Sequence, residues 1–545
     1  VRLPAVALTV ALAGPAYAGG GPTNVVVLYN ADIPDSMETA EHYAEARSVP
    51  HDHLCALTGA ALAEAVVSFD DFVALVRGPL DACLEALPEP DAIDYLVVAK
   101  GLPYRVDLPD GGYHTSLGAM LQVGHTTHAT TDAELAGFSA ENMFRRIQNP
   151  FFPHDSSPQP GDYTLSNPTE GAYTAATWWT RRDELPPSFR RTGGAEINRW
   201  VMDDTLFVVT RLDGFDHEDA RALVDRGVAA DGTFPTAELL GMAAADGARG
   251  ARDPEAEYTS RMLSGAGFNA PWLPEHDDAL AGHDVAAYFT GAAQLRDAID
   301  GQTYVPGAIV DNLTSYGAVP ANWFCGETCP EAESQTSIAR FVRAGATGVH
   351  GTVAEPFNPV FPNAGTLLLY TAGYNLAESF FFNQRWLYWQ NLYVGDPLTT
   401  PYAERPTIDG PAALPEGTEG WVLTGDHPDG VASMTVRVDG VVVAEGEGDV
   451  EVDVSDLVEG DVLEVFVTAT AAEATLDRPG WDVEAPVARA DVQGWASATL
   501  TIGPAPAEPP PAEDACAGCG GAPAVAMLLV FPWGATRRNR FGLSQ

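Results

Sequence analysis

Residues 24–29 read Asn-Val-Val-Val-Leu-Tyr (NVVVLY), an unbroken apolar run with polar residues before and after it. A strand with one wet face alternates in polarity, whereas a strand buried on both faces does not. Residues 93–99 (IDYLVVA) and 206–210 (LFVVT) repeat the pattern, and 285–289, 307–310 and 347–349 continue it. Helical stretches at about 35–46, 70–87, 217–228, 334–344 and 367–382 accompany these runs. In the first of them Asp35 and Glu38 stand at capping-box spacing. Apolar strands alternating with amphipathic helices give an α/β fold, a parallel sheet with helices on both faces. The segment from about 105 to 200, rich in Pro, Thr, Ser, Tyr and Trp, breaks the rhythm and reads as an insertion near the carboxyl ends of strands.

After Asp396-Pro397 the period changes to short alternating runs at 421–424, 434–438, 441–444, 450–454, 462–468 and 496–502. Asp439-Gly440 sits where a two-residue hairpin turn belongs, and Glu459-Gly460-Asp461 marks another turn. Residues 404–503 are therefore expected to form an all-β module, an immunoglobulin-like sandwich acting as a stalk.

The chain has 545 residues and a mass of 57.7 kDa, enough for two to four domains. Hydrophobic residues make up 46% and charged residues 19%, which excludes disorder as its general state. Basic residues number 29 and acidic residues 75, so the net charge is 29 − 75 = −46, and Lys100 is the only lysine. Such a surface repels phosphate backbones and anionic headgroups, which excludes nucleic acid as a partner. The ordinary meaning is a salt-adapted surface; bound cations or basic partners are the specific one.

Both ends carry address-like segments. Arg2, an apolar run over 3–13 and Ala16-Tyr17-Ala18 form an export signal over 1–18, with cleavage expected after Ala18. At the other end a Pro-rich linker (504–515) precedes Cys516, Cys519, an apolar run over 522–533 and the basic cluster Arg537-Arg538-Asn539-Arg540. Residues 516–545 resemble the MYXO-CTERM type of sorting tail. That resemblance implies cleavage near the cysteine and retention at the cell surface, with the tail as the sole membrane contact; the alternatives are a plain C-terminal membrane anchor and a disordered tail with a Cys516–Cys519 disulfide. In an exported chain the remaining four cysteines argue for disulfides over zinc. Cys325 and Cys329 (CGETC) would close a small loop, and Cys55 and Cys83 form a second candidate pair.

Several segments together resemble a family of exported bacterial proteins of uncharacterised function. They are 24–50 (NVVVLYNADIPDSMETAEHYAEARSVP), 93–106 (IDYLVVAKGLPYRV), 207–228 (FVVTRLDGFDHEDARALVDRGV), 345–357 (GATGVHGTVAEPF), 373–379 (GYNLAES) and 394–398 (VGDPL). That family is in turn similar to the caspase-like fold of gingipain-type cysteine peptidases, so a caspase-like α/β domain is implied for residues 19–403. The resemblance also implies where a nucleophilic dyad would lie. A histidine should follow the strand–Tyr–Thr–Gly motif and a cysteine should end the next strand. Here Tyr288-Phe289-Thr290-Gly291 is followed by Ala292 and Ala293, and Ser315 lies near the expected cysteine. A serine with no adjacent base keeps its proton at neutral pH.

Other residues offer alternatives. A Cys325/His350 dyad competes with the Cys325–Cys329 disulfide, and a buried structural role competes for His350. Gly-X-Ser-X-Gly, GxGxxG and the P-loop are absent. In open α/β sheets ligands bind beyond the carboxyl ends of the strands. That edge should hold Lys100, Arg211, Asp213, Thr290, Ser315, Glu355 and Asp396. Its carboxylates suit Ca²⁺ or Mg²⁺, although no cofactor is required, and Arg211 and Asp213 alternatively pair with each other. His125 and His128 add two imidazoles within the insertion. Aromatic residues at Tyr173, Trp178, Trp179, Trp200, Trp386, Tyr388 and Trp389 would suit a peptide or glycan if exposed, and the core if buried. The expectation is an exported, surface-held binding protein on a degenerate peptidase scaffold; the alternative is a hydrolase, peptidase or metal-dependent, using strand-end residues.

Overall fold

The computed structural model describes residues 20–108, 114–123, 207–295, 297–319, 335–356, 358–362, 364–384, 390–411, 413–415, 417–471 and 492–503. Residues 1–18, Cys325, Cys329, His125, His128, Trp178, Trp179, Trp386, Tyr388, Trp389, Cys516 and Cys519 lie outside them. Among the described residues no helix is long and apolar enough to cross a membrane.

The chain divides into two units at Ala403–Glu404. In the first, the strands are β1 (Val25–Asn30), β2 (Leu54–Leu57), β3 (Val66–Ser68), β4 (Tyr95–Ala99), β5 (Arg105–Asp107), β6 (His114–Ser116), β7 (Val208–Leu212), β8 (Glu238–Met242), β9 (Trp272–Leu273), β10 (Asp284–Thr290), β11 (Thr303–Asn312), β12 (Gly348–Thr352) and β13 (Asn391–Gly395). Ten of them form one sheet in the order β2-β1-β4-β7-β13-β12-β11-β10-β8-β9. β2-β1-β4-β7 pair in parallel, as do β12-β11-β10-β8-β9, and β13 runs antiparallel to β12. The unit is a mainly parallel α/β sheet flanked by helices.

The apolar runs explain the sheet. Val25 to Leu28 and Tyr95 to Ala99 are wholly buried. In β10, β11 and β13, adjacent residues enter two different cores: Tyr288, Val310 and Val394 belong to one, and Phe289, Ile309 and Tyr393 to the other. Side chains alternate across a strand, so this places apolar matter on both faces, as unbroken runs require.

Several elements differ from their sequence-based outlines. The first helix, Pro34–Arg47, starts at Pro34 with Ile33 as its N-cap and no side-chain cap, so Asp35 and Glu38 form no capping box. Proline suits that position because its missing N–H has no helical partner there. Ser36 instead accepts from Asn30 N–H at 3.1 Å. The single helix expected at 70–87 is three pieces: Phe69–Phe72, a π-turn at Val73–Arg77, and Gly78–Ala86. Pro79 cannot donate and its ring crowds the carbonyl four residues back, which a wider turn relieves. The helix expected at 367–382 breaks into Thr366–Thr371 and Leu376–Phe382, with Gly373 at φ 96° and Asn375 capping the second by accepting from Glu378 N–H. The insertion begins in order rather than irregularity: β5 and β6 join β3 in a small sheet, followed by the helix Leu117–Val123. Cys55 in β2 and Cys83 in Gly78–Ala86 form a disulfide with Cα atoms 6.0 Å apart.

The second unit contains β14 (Thr407–Asp409), β15 (Ala413–Pro415), β16 (Gly420–Asp426), β17 (Val431–Val438), β18 (Val441–Gly446), β19 (Val450–Asp453), β20 (Val462–Ala471) and β21 (Gln493–Gly503). They form two sheets, β14-β16-β19 and β15-β21-β20-β17-β18. Trp421, Leu423, Val436, Val452, Val467 and Leu500 share one core between them. Asp439 and Gly440 both have positive φ, 49° and 78°, as the expected two-residue hairpin turn demands.

Candidate functional site

The carboxyl ends of β4, β7, β10, β11 and β12 supply two clusters of polar side chains. In the first, Arg211 of β7 donates to Asp213 at 3.2 and 2.8 Å and to the carbonyls of Pro103 and Leu102 at 2.7 and 2.9 Å. Lys100 donates to Asp213 at 3.0 Å, to Gly214 O at 2.9 Å and to the Tyr104 hydroxyl at 3.4 Å. Burial pushes the Asp213 carboxyl up, but Lys100 and then Arg211 outweigh it and hold it below the ordinary range. Arg211 and Asp213 do pair, and Lys100 completes a buried triad.

The second cluster centres on His350, which ends in none of the solvent around the sheet: its exposure is 0%. Its Nδ1 lies 3.2 Å from Asp311 Oδ1 and its Nε2 lies 2.9 Å from Asn391 Oδ1. Phe361 packs edge-on against the ring at 5.3 Å. Asp311 is paired with Arg252, which also donates to Thr290 O at 3.0 Å and Pro362 O at 3.1 Å. Burial pushes the Asp311 carboxyl up, yet Arg252 and then His350 bring it below its usual value. Glu255, on the helix Asp253–Gly265, accepts from Ala364 N–H. Burial, opposed by Arg252, pushes its carboxyl up to about 7. The clusters meet through Ser116, which donates to Asn391 O, and through Leu117 N–H, which donates to Tyr104 O at 2.9 Å.

The positions that the peptidase resemblance singles out lie beside this cluster. Ala292 is buried, and Asn312 clamps its backbone: Oδ1 accepts from Ala292 N–H at 2.8 Å, and Nδ2 donates to Ala292 O at 3.0 Å. The half-buried Ser315 donates its hydroxyl to exposed Glu355 at 2.8 Å. A carboxylate is too weak a base to ionise a serine hydroxyl at neutral pH. Thr290 is buried at the end of β10, and its carbonyl serves Arg252.

Asp396 lies away from these residues. It follows β13, which runs against β12, and Gly395 abuts Thr347 at the start of β12. There Asp396 pairs with Arg47, accepts from the Tyr43 hydroxyl at 3.2 Å and caps its own turn by accepting from Leu398 N–H at 3.0 Å. Among the described residues, no group of three or more His, Cys, Asp or Glu side chains is gathered to hold a metal ion. Arg252, Glu255, Asp311 and Asn391 escaped the sequence reading. Asp311 ends an apolar strand with Asn312, the one local signal; Arg252 meets Asp311 across 59 residues, which no local pattern reveals.

The architecture defines an α/β protein with a polar strand-end cluster. No known family profile matches the chain, and no curated protein matches it either. Among solved structures it is similar to the Arg-specific cysteine proteinase gingipain R, at 9% identity and TM-score 0.39, covering 89% of this chain and all of that one. The complex of Porphyromonas gingivalis RgpB pro- and mature domains matches at 10% identity and TM-score 0.37, covering 88% of this chain and 100% of that one. A third, described as a protease, matches at 11% identity and TM-score 0.38, covering 88% and 98%.

Proposed function

We propose that this is an exported protein, held at the cell surface by its C-terminal tail, whose α/β domain binds a peptide or glycan without cleaving it. The observation that carries this reading is the state of His350. It is fully buried with both ring nitrogens engaged, whereas a general base must reach its substrate or nucleophile. Ala292 and the Ser315–Glu355 pair support the same reading. In it, residues 404–503 serve as an immunoglobulin-like stalk, Ala18 marks the export cut, and Cys516 and Cys519 belong to the sorting tail. Cys325 and Cys329 form a second disulfide, and any bound Ca²⁺ is an accessory to the surface. Hydrolysis, by a peptidase or metal-dependent route through other strand-end residues, is the alternative that the following test separates from it.

The test is incubation of the purified ectodomain, residues 19–503, with a mixed peptide library, with and without Ca²⁺ and reductant. The expected outcome is no cleavage under any condition, with circular dichroism showing a folded chain. Cleavage that Ser315→Ala or Cys325→Ala abolishes would overturn the reading and identify the nucleophile.

A further inference from the structure

The chain enters the α/β unit through a buried passage at the amino ends of β1 and β4, the end opposite the polar clusters. Val25 and Tyr95, the first residues of the two strands, are register partners. Ahead of them Gly20, Gly21 and Pro22 are buried. Gly20 N–H donates to the Tyr95 hydroxyl at 3.2 Å, and a Cβ on Gly20 would lie 2.5 Å from Tyr95 Cε2. Only glycine lets the backbone come that close to the ring. Gly21 N–H donates to Asn24 Oδ1 at 2.9 Å, and Asn24 Nδ2 donates to Ala92 O at 2.6 Å, which fastens the entry.

Behind Gly20 stands a carboxyl group in the core. The Tyr95 hydroxyl donates to Glu378 Oε1 at 2.7 Å and accepts from Asn375 Nδ2 at 3.0 Å. Asn375 in turn accepts from Glu378 N–H at 2.8 Å. Tyr95, Asn375 and Glu378 are all buried. Burial, and after it Glu378, push the Tyr95 hydroxyl well above its ordinary range, so it keeps the proton it donates. A carboxylate away from water is stabilised by a cation brought close to it. One residue spans at most about 3.6 Å, and the residue before Gly20 is Gly19, which lies outside the described residues. The export cut adds water across the Ala18–Gly19 amide, leaving a carboxylate on the leader and an α-ammonium on Gly19.

We propose that Tyr95, Asn375 and Glu378 form a receptor site for that new α-ammonium, so that removal of the leader completes the α/β unit. The ammonium joins the donors that Glu378 already has. Before the cut, residue 19 offers an uncharged amide and the ion pair is missing, so the precursor is less stable than the processed chain. Capture of a terminal amine is one of the recurring modes of recognition; here the ligand is the protein's own first residue. This rests on the export reading above and its cut after Ala18.

The test is a cycle of four chains: residues 19–545 and residues 17–545, each with Glu378 intact or as Glu378→Gln. The longer chain keeps a terminal charge but carries it two residues away from the site. Glutamine still accepts from Tyr95, so the substitution removes the charge alone. Urea unfolding is read at about pH 6.5, where an α-amino group of ordinary pKa about 7.7–8.0 is protonated. With Glu378 intact, the chain starting at Gly19 should have a folded-to-unfolded ratio at least about fivefold above that of the longer one. In the Glu378→Gln pair that advantage should vanish. Equal stability of the two intact chains, or the same difference in both pairs, would overturn the site, since a purely structural Glu378 affects both lengths alike. If Glu378→Gln does not fold, hydrogen exchange at Gly20 N–H in the two intact chains decides. Slower exchange in the shorter one supports the ion pair, and equal exchange rejects it. Mass spectrometry of the exported protein's first peptide tests the cut separately. A start other than Gly19 sinks the Ala18 cut and with it the coupling to processing; a Gly19 start without the stability difference sinks the site and leaves the cut.

Discussion

Glu255 sets the sign of the pH response of its cluster. Its carboxyl is pushed from 4.5 to about 7 by burial, so the folded chain holds a proton that the unfolded chain has released. Stability therefore falls as pH rises from about 4.5 to about 7 and is level above that. At about 1.4 kcal/mol per pH unit, the difference amounts to about 3 kcal/mol. Arg252 and Asp311 act on the same carboxyl, and His350 is joined to it through Asp311. Asp311 titrates in the opposite sense: held below its ordinary value, it contributes stability that is lost as pH falls through the acid range. Urea unfolding of Glu255→Gln should show higher stability than the unaltered chain at pH 8 and little difference at pH 4.5; an equal effect at both would refute the assignment. In the other cluster, Asp213→Ala leaves Lys100 and Arg211 buried without their shared carboxylate. It should cost about 3–5 kcal/mol, while Lys100→Met, which keeps the Arg211–Asp213 pair, should cost less. Comparing the two in the same denaturation assay checks the order.

At the scale of elements, Gly348 shows why strand β12 and the helix Leu376–Phe382 approach so closely. A Cβ on Gly348 would lie 2.3 Å from Leu376 Cδ1. Gly348→Ala should destabilise the α/β unit by about 1–3 kcal/mol, as overpacking does, and thermal melts read the loss. The disulfide between Cys55 and Cys83 spans 28 residues. Cys83→Ser should lower stability by about 3–4 kcal/mol on loop-closure grounds, and reductant should do the same to the unaltered chain. The strands with unbroken apolar runs were legible in the sequence because burial on both faces leaves no other composition. β2, β8 and β13 were not, since short runs carry too little periodicity to separate strand from loop. The helix breaks at Pro79 and Gly373 depend on single residues within otherwise helical patterns. The site was legible at Arg211, Asp213 and His350, which sit on or just beyond recognisable strands. It was illegible at Arg252 and Glu255, because charged residues in a helical segment resemble a solvated face until their distant partners are known.

Over the whole molecule, the net charge of −46 makes compaction work against self-repulsion. Residues 404–503 carry 4 basic and 21 acidic residues, 4 − 21 = −17, so the β unit holds a large part of that excess. Raising NaCl from about 10 mM to about 0.5 M shrinks the Debye length from roughly 30 Å to a few ångströms. The melting temperature should rise with it, most for transitions of the β unit; a flat or falling response would mean that local ion pairing already balances the repulsion.

One consequence of the Lys100 triad reaches the bench. This is the chain's single lysine, its side chain is 13% exposed, and its ammonium group is bound to Asp213, Gly214 and Tyr104. Apart from the amino terminus, the folded protein therefore offers amine-directed reagents almost nothing to acylate or crosslink. A mass shift at Lys100 after brief exposure to such a reagent becomes a tally of molecules whose strand ends have come apart.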